Sequence, residues 1–434
     1  MIKMIINILF IGVSLFLLSM NMFYLFKNNK NAILYIYPLI FIFNILPTII
    51  HLIFGQADYL YFKWATVATN DTYANMAYEL IMTIISVVLW GFSFFDLKTK
   101  RAGLKDFFIY EVDGPKKKNI LKCMLLLQFI PILIALIIPS YRGNFLQYGA
   151  RYTVEGVAEI PPFILGIGSI SFIFFLLNTD KENKKYNVLS VIFMILTIYL
   201  RGSRAIIATV MVMVVFSLLL SNKINFRKAF KILIILIPIF LFGFYAYHLF
   251  LRDASESFYS YYSIDFSRDY TTIFSIYAQQ HGIKILEYTG QSILFCFLFW
   301  LPRSICPWKP YPFPTYMTLS LLGSDIKDAE YLTLRTTTNI FSEFIANFGI
   351  VFGSILLVLI LLLIIVLINK CQKINTKLLL VYVSYEIMVL DFSNWILDLG
   401  FIAIIILIFD YDIINKIKNK MIGLINNKQR KEKI

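Results

Sequence analysis

Long runs of apolar residues alternate along the chain with short polar connections. An α-helix rises about 1.5 Å per residue, so crossing about 30 Å of hydrocarbon takes roughly 20 apolar residues. Eleven runs reach or approach this length, and they predict an all-α polytopic integral membrane protein with about 11–12 transmembrane helices. The predicted spans are 4–26, 31–54, 76–97, 120–139, 161–178, 187–201, 204–221, 232–250, 340–368, 378–391 and 398–411.

The longest stretch between predicted spans is 251–339. A structureless loop of this length is uncommon, so we expect a folded lid or binding element that contains short helices. Residues 291–301 are apolar but too short to span, which predicts a re-entrant or interface-lying helix. We therefore predict a single transmembrane domain, 1–434, into which this large loop is inserted.

Composition narrows the class of protein. The chain has 434 residues, of which 59% are hydrophobic and only 15% are charged, and its mean hydropathy is +0.74. Soluble domains have about 25% charged residues, so an ordinary soluble enzyme, a disordered protein and a fibre are excluded. The histidines at 51, 248 and 281 are too dispersed to predict a metal cluster, and no metal site or cofactor is expected.

The net charge of +14 is explained by membrane topology. Eight basic residues lie within Lys98–Lys122, which predicts a cytoplasmic loop. Alternating from this loop places the basic C-terminus inside and 251–339 outside. Topology accounts for the charge, so no nucleic-acid partner is expected.

Arginine is distributed differently from lysine. The predicted inside regions hold 24 Lys and three Arg. The predicted outward side holds eight arginines: Arg142, Arg151, Arg201, Arg204, Arg252, Arg268, Arg303 and Arg335. A guanidinium suits bidentate contact with phosphate, so the outward face is predicted to hold a phosphate or pyrophosphate. The alternative is that each Arg pairs with a neighbouring carboxylate, as Arg268 could with Asp269.

Two local motifs stand out. Arg201-Gly-Ser-Arg204 joins two short predicted spans, and its arginines would share a face if the helix continued through it. Charge at membrane depth indicates function, although the two side chains could instead snorkel to lipid headgroups.

The second motif runs from Asn339 to Gly353, where Glu343 and Asn347 share a helical face. Glu343 suits a general base, or alternatively a structural partner for an outward Arg.

At these residues the chain resembles the Wzy-type O-antigen and capsular repeat-unit polymerases. The matching pieces are Arg201-Gly-Ser-Arg204 between short spans, the large loop with Pro302-Arg303, and Asn339 to Gly353 at the following helix. The resemblance implies a GT-C-like, metal-independent glycosyltransferase of the bacterial inner (plasma) membrane, with its active site facing the periplasm. Its donor and acceptor would be undecaprenyl-pyrophosphate-linked oligosaccharides, and undecaprenyl pyrophosphate would be released. Membrane lipids and a chain-length regulator are further candidate partners.

The residue pattern fits this chemistry, because fixed arginines can stabilise a pyrophosphate leaving group without a metal. The hypothesis assigns Arg201 and Arg204 to the pyrophosphate and Arg268 and Arg303 to closing the site. Arg335 and Lys309 are weaker candidates for substrate binding. Glu343 is the first candidate for the catalytic base and Asp269 is the second. A lipid-linked oligosaccharide flippase or other transporter, an O-antigen ligase and a non-enzymatic scaffold remain alternatives.

Overall fold

The computed structural model describes residues 2–59, 62–99, 114–147, 157–158, 160–179, 183–201, 204–251, 257–332, 336–371, 373–390, 392, 400 and 403. Every regular element in these ranges is helical, so the fold is all-α. The chain divides into two compact units. The first comprises 1–106, 203–370 and 380–396, and the second comprises 107–202, 371–379 and 397–434.

In chain order, the α-helices of the described ranges are α1 Ile2–Phe26, α2 Ile33–Ile40, α3 Leu46–Phe54, α4 Lys63–Asn70, α5 Thr72–Thr99, α6 Gly114–Ile137, α7 Pro139–Leu146, α8 Pro162–Asn178, α9 Lys184–Arg201, α10 Arg204–Leu220, α11 Phe226–Leu251, α12 Phe258–Phe266, α13 Asp269–Gln280, α14 Gln291–Leu298, α15 Phe313–Leu322, α16 Ile340–Phe348, α17 Ile350–Lys370 and α18 Ile374–Val389. A π-helical turn, Phe41–Ile45, joins α2 to α3, and a 3₁₀ helix covers Ile326–Tyr331.

Five helical segments are long and apolar enough to cross a membrane, by length and composition and among the described residues. They are Ile2–Phe26, Ile33–Phe54, Thr72–Phe95, Lys118–Ile137 and Ile350–Lys370. Five other predicted spans coincide with helices α8 to α11 and α18. The eleventh, 398–411, lies outside the described residues apart from positions 400 and 403. The all-α, membrane-spanning class is therefore supported, and the number of spans stays a prediction.

Helix α13 lies at the centre of the first unit. Its residues from Asp269 to Ala278 are all buried, and it packs against α4, α5 and α16. A helix that is buried on every side is typical of a protein core, but α13 also carries Asp269, Thr271 and Ser275. Buried polar groups require hydrogen-bond partners, and those partners define the candidate site. In the second unit, α6 packs against α8 and α9.

Two predicted spans are interrupted. The span 31–54 contains the π-helical turn, in which Phe43 O accepts a hydrogen bond from Arg268 N at 3.0 Å. The prediction of one continuous helix over 340–368 is wrong, because Gly349 has a φ of +80° and separates α16 from α17. A Cβ on Gly353 would lie 2.4 Å from Phe344 O, so glycine permits the close packing of α17 on α16. Gly353 therefore lets these two successive helices pack closely.

Candidate functional site

Glu343 is buried within the first unit, and each oxygen of its carboxylate accepts a hydrogen bond. Ser292 Oγ donates to Glu343 Oε1 at 2.6 Å, and the backbone N of Phe392 donates to Oε2 at 2.6 Å. The side chain of Glu343 is 0% exposed. Hydrogen bonds to both oxygens fix the orientation of the carboxylate, and a positioned carboxylate is one of the groups that can act as a general base.

Asn347 connects Glu343 to a cavity. Its Nδ2 donates to Ser292 Oγ at 2.8 Å and to the carbonyl oxygen of Glu343 at 2.8 Å. The prediction that Glu343 and Asn347 share a helical face is confirmed, since both side chains meet at Ser292. Asn347 also lines a cavity of about 800 Å³ between residues 278–289 and 346–352. Asn347 therefore links the hydrogen-bonded pair Glu343 and Ser292 to the wall of this cavity.

Asn339 holds the first turn of α16 in place. Its Oδ1 accepts from Ser342 N at 2.9 Å, while Ser342 Oγ faces Asn339 N, so the two residues form a capping box. Asn339 Nδ2 donates to Asn44 Oδ1, in the π-helical turn, at 2.7 Å. The catalytic candidate Glu343 is thus positioned by a cap that is attached to a distant part of the chain.

Asp269, the second base candidate, lies in a separate buried cluster. Its Oδ2 accepts from Thr48 Oγ1 at 2.8 Å, and its Oδ1 accepts from Tyr270 N at 2.8 Å and from Ser267 Oγ. His51 Nε2 lies 3.7 Å from Asp269 Oδ2. Asp269 is 0% exposed, and it fits the role of an anchor for His51 and α3 better than contact with a substrate.

His51 is flanked by two tyrosines. Its Nδ1 contacts the hydroxyl of Tyr259, which also donates to Gly55 O at 2.9 Å, and its Nε2 lies 3.4 Å from the Tyr59 hydroxyl. Burial raises the pKa of Tyr259 to about 12, and the charge of Asp269 adds to this effect. The pKa of Tyr59 is raised well above its usual value, first by burial and then by Asp269. Both phenols are therefore neutral hydrogen-bonding groups at physiological pH.

Arg268 is used inside the protein. Its guanidinium is 1% exposed and donates to three carbonyl oxygens, those of Val389 at 3.2 Å, Asp265 at 3.0 Å and Ser267 at 2.9 Å. Burial lowers the pKa of Arg268, and the neighbouring Tyr270 and Tyr385 oppose that shift. The structure gives Arg268 a role in holding α18 to the segment before α13. An Arg–Asp269 pair, the sequence alternative, is not among the contacts found for these described side chains.

Arg303 and Lys309 stabilise the proline-rich segment. Arg303 donates to Lys309 O at 2.7 Å and to Pro310 O at 3.0 Å, and its guanidinium stacks 3.8 Å from the centre of the Tyr311 ring. Lys309 Nζ donates to Leu301 O at 2.7 Å. These contacts fold the segment onto itself, so both cations have structural partners in addition to their predicted role.

The remaining arginine candidates are not brought to this cluster by any described contact. Arg201 is the last residue of α9, in the second unit, and Arg204 is the first residue of α10, in the first unit. Residues 202 and 203, which join them, lie outside the described residues, so a shared helical face stays a prediction. The side chain of Arg204 and the whole of Arg335 lie outside the described residues.

Ser292 and His51 are not predicted from the sequence as residues of the site. Ser292 follows Gln291 at the start of α14, a polar pair before an apolar run, which was the available signal. His51 stands alone inside an apolar run, and its dispersal from the other histidines argued only against a metal cluster. Within the described ranges, no group of three His, Cys, Asp or Glu side chains could hold a metal ion.

Comparisons of the chain with protein-family models, with curated proteins and with solved structures find no match.

Proposed function

We propose that this protein is a membrane-embedded polysaccharide polymerase. It would transfer a growing glycan from undecaprenyl pyrophosphate onto a lipid-linked repeat unit, at the outward face of a bacterial inner membrane. The observation that carries the proposal is the buried Glu343 carboxylate, which hydrogen bonds through Ser292 to Asn347 at the wall of a cavity. A cavity of about 800 Å³ falls within the size range of small-molecule sites.

The proposed reaction is an inverting displacement. The acceptor hydroxyl oxygen forms a bond to the anomeric carbon of the donor, and the bond from that carbon to the pyrophosphate oxygen breaks. Ser292 takes the hydroxyl proton while passing its own proton to Glu343, so the carboxylate is the final base. The electron pair leaves with undecaprenyl pyrophosphate. In the hypothesis Arg201 and Arg204 stabilise this developing charge, while Arg268 and Arg303 act by positioning the surrounding backbone.

The test uses purified protein in liposomes, given undecaprenyl-pyrophosphate-linked repeat units without nucleotide. We expect a ladder of polymers on a gel with the wild-type protein. The ladder should be lost with Glu343→Gln, which keeps the shape of the side chain but cannot take up the proton. It should be strongly reduced with Arg204→Lys, which removes bidentate phosphate contact.

The matched control is Arg227→Lys, since Arg227 is exposed at the start of α11 and is not a candidate for substrate binding. It should leave the ladder unchanged. A full ladder with Glu343→Gln would rule out Glu343 as the base. No ladder from folded wild-type protein with its cognate repeat unit would contradict polymerisation and favour transport or ligation.

A further inference from the structure

The charged residues described in the wall of the cavity balance each other. They are Lys284 and Glu287, one of each sign. A site built around pyrophosphate has an excess of fixed cations, which these lining residues do not supply. The cavity wall also includes the rings of Tyr288, Phe348 and Phe352. Aromatic rings beside neutral polar groups suit a ligand with both apolar faces and hydroxyl groups.

Asn347, which lines this cavity, carries an unused hydrogen-bond acceptor. Its amide nitrogen is committed to Ser292 and to the backbone of Glu343, which fixes the orientation of the amide. Its Oδ1 has no hydrogen-bond partner among the described residues, although the side chain is only 4% exposed. A buried acceptor without a partner is destabilising. A ligand that carries a hydroxyl or an amide N–H would remove this cost.

The same amide joins the ligand site to the carboxylate. Asn347 Nδ2 and Glu343 Oε1 are both bonded to Ser292 Oγ, at 2.8 and 2.6 Å. A sugar hydroxyl that donates to Asn347 Oδ1 would therefore contact the residue that is hydrogen bonded to Ser292, the first group of the proposed proton path. The group that must lose a proton in the proposed reaction is the acceptor hydroxyl, whereas the donor brings the pyrophosphate.

We infer that the cavity between residues 278–289 and 346–352 is the acceptor subsite. It would take the uncharged, polyhydroxylated part of the acceptor, with Asn347 Oδ1 accepting a hydrogen bond from a sugar hydroxyl or N-acetyl N–H. The donor pyrophosphate is bound elsewhere. Naming the bound sugar as the acceptor rests on the proposed function. The binding of an oligosaccharide to this cavity can be measured independently of that function.

The experiment measures protection of the cavity from a thiol reagent. Thr289 is exposed on the cavity wall, so Thr289→Cys introduces a reporter, while Cys123→Ser and Cys371→Ser remove the two native thiols that are not buried. The full-length protein is treated with a maleimide in detergent. One probe is the phosphate-free repeat-unit oligosaccharide released from the source strain's polysaccharide, and the other is undecaprenyl pyrophosphate alone.

We expect the oligosaccharide to slow labelling several-fold and undecaprenyl pyrophosphate to leave the rate unchanged. Asn347→Leu should raise the oligosaccharide concentration for half-protection about tenfold, the effect of one lost hydrogen bond. Phe352→Ala is a second test. Phe352 is 66% exposed, so we expect its replacement to spare the fold and to weaken protection. Asn119→Leu, at an exposed position on α6, is the matched control and should have no effect.

Labelling that the oligosaccharide does not slow, or that undecaprenyl pyrophosphate slows by itself, would overturn the assignment. The two proposals fail in different ways. A polymer ladder without oligosaccharide protection would overturn the subsite and leave the polymerase standing. Protection without a ladder would support the subsite and overturn the polymerase.

Discussion

Ser292 donates its hydroxyl hydrogen to Oε1 of Glu343 at 2.6 Å, and 51 residues of sequence separate the two. The bond joins the start of α14 to α16. The same hydroxyl oxygen accepts a hydrogen bond from Asn347 Nδ2. The Asn347 amide donates to Ser292, and Ser292 donates to the carboxylate. The three side chains therefore form one hydrogen-bonded chain that ends at Glu343.

Ser292→Ala distinguishes an effect on proton transfer from an effect on stability. The change leaves one oxygen of a buried carboxylate without this donor, which costs about 1–3 kcal/mol of unfolding free energy. Polymerisation should fall by about 10²-fold, because the relay hydroxyl is lost. Thermal unfolding and the gel ladder measure the two effects. Ser354→Ala is the control, since Ser354 donates to Ile350 O within its own helix, and equal effects from both variants would contradict the relay.

Gly353→Ala should be destabilising. The added methyl would lie 2.4 Å from Phe344 O, so α16 and α17 would have to move apart. Overpacking of this kind costs about 1–3 kcal/mol and should lower the melting temperature. Gly12→Ala in α1 is the matched control, because no heavy atom lies within 4 Å of the new methyl. That substitution should be neutral or stabilising by up to about 1 kcal/mol. A Gly353→Ala protein as stable as the wild type would contradict the close packing.

Arg268→Lys tests whether this arginine acts through structure. A lysine ammonium cannot reproduce the planar contacts to three carbonyl oxygens, so unfolding free energy should fall by about 2–4 kcal/mol. The melting temperature in detergent is the measurement, and the exposed Arg227→Lys is the control. Unchanged stability with weaker substrate binding would restore the anion-binding role that the sequence predicts for Arg268.

The stability contributed by the neutral Tyr259 hydroxyl should depend on pH in the alkaline range. Its pKa is raised to about 12 in the folded protein, against about 10 in the unfolded chain, so the folded state binds more protons between these values. The stability from this hydroxyl is fully present below pH 10 and declines as the pH rises towards 12. Tyr259→Phe should therefore be less stable than wild type at pH 8, and the difference should narrow above pH 10.

Melting temperatures across this pH range measure the effect. Tyr288→Phe controls for the removal of a hydroxyl, because Tyr288 is exposed. A difference between Tyr259→Phe and wild type that stays constant or widens above pH 10 would contradict the assignment.

Some of the candidate site could be predicted from the sequence. Glu343 and Asn347 are four residues apart on one helix, so their convergence follows from helical geometry alone. The role of Gly353 as a close-packing residue also follows from its lack of a side chain. The break at Gly349 could not be predicted, because an apolar run has the same hydropathy whether the helix is continuous or interrupted.

The arginines show the limit of this reasoning. Sequence identifies a guanidinium that suits phosphate, but carbonyl oxygens satisfy it equally well when the backbone brings them within reach. Arg268 and Arg303 meet such carbonyls from Val389 and Pro310, residues that no local pattern associates with them.

By itself the sequence determined the helical, apolar character of this protein, because length and hydropathy are local properties that each segment carries wherever it packs. It also determined which residues share a helical face. The tertiary structure decided which polar groups are partners: Ser292 for Glu343, Asn44 for Asn339, and His51 for Asp269. Those choices depend on contacts between residues far apart in the chain, where the cost of burying an unpaired polar group selects the arrangement.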